Sequence, residues 1–184
     1  TLGLAIVDIF VAANTGFSGY QGLTSATANL IAEEGSEYLK ETYCEKMLTG
    51  VLAGAMVLTE AQAGSAVGEI KTSAKRDGDT YLLTGNKIFI SGGDHDMNKN
   101  MIHVLLARVQ GAPPGVKGLS LFVAPKYLVN GDGSIGAFNN IKATGVEEKM
   151  GMHASATCSI AYGEDGPCRA WIIGGENQGI QIMF

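Results

Sequence analysis

Met56-Val57-Leu58-Thr59-Glu60-Ala61-Gln62-Ala63-Gly64-Ser65 is an apolar, strand-like run that ends in a hydroxyl at Thr59 and breaks into a loop of small residues closing on Gly64 and Ser65. A short hairpin later comes Lys87-Ile88-Phe89-Ile90-Ser91-Gly92-Gly93. In a strand, residues two apart share a face, so Phe89 and Ser91 are expected to point the same way. A loop of small residues lets backbone N–H groups approach a pyrophosphate closely, and an aromatic ring beside a hydroxyl suits a flat conjugated ring such as an isoalloxazine. A Thr at a strand end followed by Gly and Ser is also ordinary turn chemistry. The two segments gain meaning from their order.

Outward from these segments, the period of the chain changes near Ala53 from helical to strand-like. Turn signals recur at Asp77-Gly78-Asp79, Gly92-Gly93, Pro113-Pro114-Gly115 and Asn130-Gly131-Asp132-Gly133. Ile70 to Arg76 and Tyr81 to Ile90 read as a hairpin, Ile102 to Arg108 and Leu119 to Ala124 as two more strands, and Cys158 to Tyr162 as another. Before Ala53 the pattern is helical. Thr24 is a candidate N-cap for a helix to Glu34 with Gly35 as terminator, and Ser36 caps a second helix with Glu37 in its first turn. Leu39, Tyr43, Met47, Cys44 and Leu48 form an apolar stripe on that second helix, read as core. Leu2 to Ala13 reads as a buried or half-buried helix, too short and too interrupted by Asp8 to cross a membrane. Helices and then strands in blocks, without βαβ alternation, predict an α+β fold with an antiparallel β unit and exclude a Rossmann arrangement.

The chain has 184 residues and a formal charge of -5, with a pI near 5.1. It lacks the basic footprint that nucleic acid or an anionic membrane surface would need. Three cysteines, Cys44, Cys158 and Cys168, show no CxxC spacing. They build neither a disulfide framework nor a zinc site, and point to a reducing, cytoplasmic compartment.

Several decoys are weighed against their context. Gly131-Asp132-Gly133-Ser134-Ile135-Gly136 satisfies G-x-G-x-x-G, but Ala137 to Asn140 followed by Ile141-Lys142-Ala143 reads as turn and strand. The helix that would meet a pyrophosphate is missing there. Asp94-His95-Asp96, with His103 or His153, fits no standard metal spacing; the stretch reads as a polar turn with Asp94 bonding local backbone. No metal is expected. No Gly-x-Ser-x-Gly elbow supports a Ser-His-Asp hydrolase.

The order and wording of Thr59-Glu60-Ala61-Gln62-Ala63-Gly64-Ser65 and Lys87-Ile88-Phe89-Ile90-Ser91 resemble the middle domain of the acyl-CoA dehydrogenases. Later landmarks extend the resemblance over nearly the whole chain: Lys149-Met150-Gly151, Ser155-Ala156-Thr157 and Gly174-Gly175-Glu176-Asn177-Gln178-Gly179. Gly92 to Asp96 and the long Tyr127 to Val146 excursion look most like the branch with methylmercaptopropionyl-CoA and long-chain members. The resemblance implies the end of an N-terminal helical domain over 1–52, an antiparallel β-barrel or sandwich domain binding flavin and acyl-CoA over 53–172, and the start of a C-terminal helical domain over 173–184. It leads us to expect a piece of a longer, homo-oligomeric protein.

By resemblance the chemistry is α,β-dehydrogenation of an acyl-CoA thioester, with FAD as hydride acceptor and an electron-transferring flavoprotein as partner. Carried over position by position, Met56, Leu58 and Thr59 are expected at the flavin ring edge, Gly64 and Ser65 at the pyrophosphate, and Phe89, Ile90 and Ser91 on the N5 side. Ser65 and Ser155 are expected near the acyl-CoA. Glu60 is expected to orient or pack, not to act as the base. The base itself is expected beyond the counterpart of Phe184, so the isolated chain should hold flavin poorly and not catalyse. Two positions depart from the family pattern. Ala61 replaces a proline, raising the unfolded chain's entropy by about 0.4–1 kcal/mol, and Ala66 replaces an aspartate. An acyl-CoA oxidase of the same superfamily and a non-catalytic β-rich binding module are the alternatives.

Overall fold

The computed structural model describes residues 2–184. Helix α1 (Leu2–Glu34) is interrupted once, at Asn14, whose backbone is extended. The Asn14 side-chain oxygen accepts the Phe17 N–H at 2.9 Å, so Asn14 caps the second helical segment. Thr24, expected as the cap, lies inside the helix. Its hydroxyl donates to the Tyr20 carbonyl (2.9 Å) and accepts the Gly54 N–H (3.1 Å), the back-bonding that satisfies a mid-helix threonine. Gly35 does end the helix: its N–H closes on the Ile31 carbonyl at 2.9 Å, and a Cβ there would sit 2.4 Å from that oxygen.

Leu2 to Ala13 is helical but not buried. Leu4 is 69% and Ile9 68% exposed, and the buried residues of α1 are Gly16, Thr27, Ala28 and Ile31, all after the break. By length and composition alone α1 is apolar enough to cross a membrane, with a mean hydropathy of 1.5 in its most apolar window. After the break at Asn14, Ala28 and Ile31 are buried in the core shared with the sheet. Ser36 caps α2 (Glu37–Leu39), which runs through a π turn (Lys40–Cys44) into α3 (Glu45–Leu48). Leu39, Tyr43 and Met47 are buried as expected, but Leu48 is 62% exposed. The wider π turn keeps every fourth residue on the core side and rotates Leu48 off it.

Ten strands follow: β1 (Ala53–Val57), β2 (Ser73–Asp77), β3 (Thr80–Ser91), β4 (Met101–Val109), β5 (Leu119–Pro125), β6 (Tyr127–Val129), β7 (Ile135–Phe138), β8 (Ile141–Val146), β9 (Thr157–Tyr162) and β10 (Cys168–Ile173). A short helix, α4 (Gly179–Met183), ends the described chain. The larger sheet runs β1-β4-β5-β10-β3-β9-β8, and β2 bonds both β3 and β4. That double pairing closes β2, β3, β10, β5 and β4 into a barrel, the α+β architecture expected. The unit is not wholly antiparallel, because β1 and β2 each pair with β4 in parallel. Both reach β4 through long connections, which is what a parallel pair requires.

Alternation along β4 and β5 divides two cores. Leu105, Ala107, Val109 and Phe122 face the barrel interior, whereas Ile102, Val104, Leu106, Leu121 and Val123 face the helices with Ala28, Ile31, Leu39 and Met47. Strands buried on both faces are apolar throughout. The turn between β6 and β7 carries the G-x-G-x-x-G decoy; Asp132 accepts the Ser134 N–H at 2.9 Å, and a strand follows, not a helix.

Candidate functional site

β1 runs parallel to β4 and β3 antiparallel to it, so the two quoted segments run in opposite directions and meet side by side, and one buried carboxylate organises their junction. After β1 the chain turns tightly, Glu60 and Ala63 exchanging backbone bonds of 3.1 and 2.9 Å. The Glu60 carboxylate, 4% exposed, accepts the Lys71 N–H (2.7 Å), the Thr72 N–H (3.0 Å), the Thr72 hydroxyl (2.5 Å) and the Gln62 amide (2.6 Å). It also lies 3.0 Å from the Lys87 ammonium. Burial alone would raise this carboxyl, but the Lys87 charge and these donors outweigh it and bring it down to about 2. Because Lys71 and Thr72 spend their N–H groups on Glu60, β2 begins at Ser73 and not at Ile70.

Lys87 in turn donates to the Leu58 carbonyl at 2.8 Å, and the Ile88 N–H donates to the Thr59 carbonyl at 2.9 Å. The Thr59 loop is therefore fastened to the strand that carries Phe89, Ile90 and Ser91. The loop's far end is held by Arg108, which donates to the Gly68 carbonyl at 2.9 Å and to the Pro113 and Gly115 carbonyls. Between these anchors Gly64 and Ser65 are exposed. Neither of their N–H groups has an acceptor among the described residues. A Cβ on Gly64 would meet nothing within 4 Å, so no packing within the chain requires glycine there.

The strand expectation for Phe89 and Ser91 holds only in part. The register against β9 shifts between Lys87 and Ile90, and Phe89 occupies that bulge with φ at 58°. An aromatic residue in the left-handed region is strained, and such strain collects at functional positions. Its ring is 58% exposed. Ser91 is also exposed, whereas Ile90, expected on the N5 side, is buried with its side chain in the barrel core and its carbonyl accepting the Gly93 N–H at 3.2 Å. Met56 and Leu58 are half-buried against the helix-side core. The hydroxyls of Thr59, Ser65 and Ser91 have no hydrogen-bond partner among the described residues, in contrast to the bonded hydroxyls of Thr24, Thr27 and Thr72.

The Ser155 segment lies beside Ser91, joined through backbone. Its carbonyl accepts the Lys149 ammonium at 2.5 Å, and Lys149 also donates to the Thr157 hydroxyl at 2.8 Å. Ser91 pairs with Thr157, and the Gly92 N–H donates to the Ala156 carbonyl at 2.7 Å. Asp94, expected to bond local backbone, instead pairs with Lys126 at 2.7 Å, the nearby cation winning over the turn. His103 is a core residue. Its rings of contacts, to the Tyr162 hydroxyl and the Gly93 carbonyl at 2.7 Å each, use both nitrogens. Nothing in the sequence marks the roles of Arg108 and Tyr20, whose partners Gly68 and Ala156 lie 40 and 136 residues away. An apolar cleft of about 600 Å³ opens beside α1, lined by Phe10, Tyr20, Thr24, Met47, Leu52 and Met97 among others.

A flavin fits this donor set: free loop amides for a pyrophosphate, and an exposed ring and hydroxyls for a planar head group. The profile of the acyl-CoA dehydrogenase middle domain matches residues 55–164. A butyryl-CoA dehydrogenase of Syntrophomonas wolfei is 42% identical over 170 residues, 88% of this chain and 28% of that protein. The 3-methylmercaptopropionyl-CoA dehydrogenase of Ruegeria pomeroyi is 37% identical over all 184 residues and 31% of its own length. The structure of butyryl-CoA dehydrogenase from Megasphaera elsdenii superposes with a TM-score of 0.71 at 28% identity, covering 92% of this chain and 41% of that one. The chain thus spans about a third of the length of these relatives.

Proposed function

Because the chain belongs to the acyl-CoA dehydrogenase family, we propose that it is the flavin-binding part of an FAD-dependent enzyme that dehydrogenates an acyl-CoA thioester between its α and β carbons. Bound FAD would supply the hydride acceptor. The observation that carries the reading is the set of hydroxyls at Thr59, Ser65 and Ser91 without protein partners, on segments rigidly tied by Glu60 and Lys87. Ser65 and Ser91 are exposed and Thr59 is half-buried, so among the described residues no group competes with a ligand for these hydroxyls.

In this reading Thr59 and Ser91, with neighbouring backbone, hydrogen-bond the head group, and the Gly64 and Ser65 amides hold the pyrophosphate. Donors fixed in advance stabilise negative charge developing on that ring more than the uncharged ground state. The exposed Phe89 ring covers one side of the head group and excludes water. Ser65 and Ser155 contact the acyl-CoA, and the apolar cleft beside α1 suits its acyl portion. The proton acceptor lies outside this chain. We further propose a cytoplasmic, homo-oligomeric parent that passes electrons to an electron-transferring flavoprotein.

The test is FAD titration of the full-length protein with Thr59→Val and Ser91→Ala. Each is expected to weaken flavin binding roughly three- to tenfold, the worth of one hydrogen bond. Unchanged affinity and turnover in both variants would overturn the assignment.

A further inference from the structure

We propose that Tyr20 is a positioning residue for the flavin-facing hydroxyl of Ser91, acting through the backbone N–H and carbonyl of Ala156; this rests on the flavin reading above. The Tyr20 hydroxyl accepts the Ala156 N–H at 2.7 Å, and it donates to the Ala154 carbonyl at 3.3 Å. On the other side of the same residue, the Ala156 carbonyl accepts the N–H of Gly92, the neighbour of Ser91, at 2.7 Å. A single phenol on α1 thus fixes one loop, and that loop fixes the residue after Ser91.

The ring does further work at the same place. It meets His95 edge to face, with centroids 5.0 Å apart and planes at 84°. Gly92, at φ 59°, leaves room for it: a Cβ there would come within 3.1 Å of the Tyr20 ring. The turn after Ser91 is therefore shaped against Tyr20 by contact as well as by hydrogen bonding. One helical turn later, Thr24 accepts the Gly54 N–H of β1, the strand that leads into Thr59. Residues four apart share a helix face, so one face of α1 holds both flavin-facing segments. Helix α1 thus braces from outside the two segments that the Lys87–Leu58 and Ile88–Thr59 bonds join directly.

Tyr20→Phe removes the hydroxyl and keeps the ring. In the full-length protein, amide hydrogen exchange at Ala156 and Gly92 should quicken by about three- to tenfold, the loss of one hydrogen bond. FAD affinity should fall by a similar factor, and the visible flavin band should shift toward that of Ser91→Ala. Tyr20→Ala, which also removes the ring, should weaken flavin further, and a double variant of Tyr20→Phe with Ser91→Ala should bind no more weakly than Ser91→Ala alone. If Ser91→Ala weakens flavin while Tyr20→Phe changes neither exchange nor spectrum, the positioning role is overturned and the flavin reading stands. If neither variant alters flavin binding, both are overturned. Uniformly faster exchange with a lowered melting temperature and an unshifted band would make Tyr20 merely structural, and would also overturn it.

Discussion

The Glu60 carboxylate and the Lys87 ammonium lie 3.0 Å apart with 4% and 0% of their side chains exposed, and they join the β1 loop to the middle of β3. Removing one partner of such a pair strands the other charge in the interior. Lys87→Met should therefore cost about 3–5 kcal/mol of stability. The double variant Glu60→Gln with Lys87→Met should cost clearly less than the sum of the two single changes. Urea denaturation of the four proteins checks this, and strict additivity would show that the two groups do not act as a pair.

Phe89 separates strain from packing. It holds a positive φ of 58° with its ring mostly exposed, so Phe89→Gly should change stability by no more than about 1 kcal/mol. The same change should weaken flavin binding, since it removes the ring proposed to cover the head group. A large loss of stability with intact flavin affinity would mark the ring as a packing element.

Gly64 offers the opposite separation. Its φ is not in the left-handed region and a Cβ would meet nothing within 4 Å, so Gly64→Ala should leave stability unchanged or raise it by about 0.4–1 kcal/mol. Flavin affinity should fall if a pyrophosphate approaches this backbone. Thermal melting with and without FAD distinguishes the cases: the shift on adding FAD should shrink in the variant, and an undiminished shift would remove Gly64 from the site.

The elements readable in the sequence were those written locally. Ser36 and Gly35 are punctuation within a few residues of what they punctuate, and the strand read over Ile102 to Arg108 lies within β4. What escaped depended on distant partners. The helix pattern ran past Thr24 because its cap, Asn14, lies ten positions earlier. The bulge at Phe89 depends on the register with β9, and the burial of Ile90 follows from the barrel beneath it. The short alternation in β10 carries the half-exposed Arg169 and Trp171 between core residues, and gives a weak strand signal. In the candidate site, the hydroxyls and glycines stood out by order and spacing. Arg108 and Tyr20, which hold that geometry from 40 to 136 residues away in the chain, left no local mark.

His103 makes the protein's acid sensitivity specific. Burial pushes its imidazole down to about 4 from 6.5. The Nε2–H donates to the Gly93 carbonyl, and Nδ1 accepts the Tyr162 hydroxyl. Between pH 6.5 and 4 the unfolded chain takes up a proton on this residue that the folded chain refuses. Stability is therefore fully present above 6.5 and lost as the pH falls toward 4, by an amount on the order of a few kcal/mol. Glu60, held near 2 against 4.5, adds a second loss as the pH falls below about 4.5. His103→Asn removes the titrating ring, so its stability, though lower throughout, should fall less steeply than the wild type's from pH 6.5 to about 4.5; some slope remains from His95, whose imidazole burial also pushes down. Urea midpoints across that range decide the matter. Equal slopes in the two proteins would mean that the acid response comes from other groups.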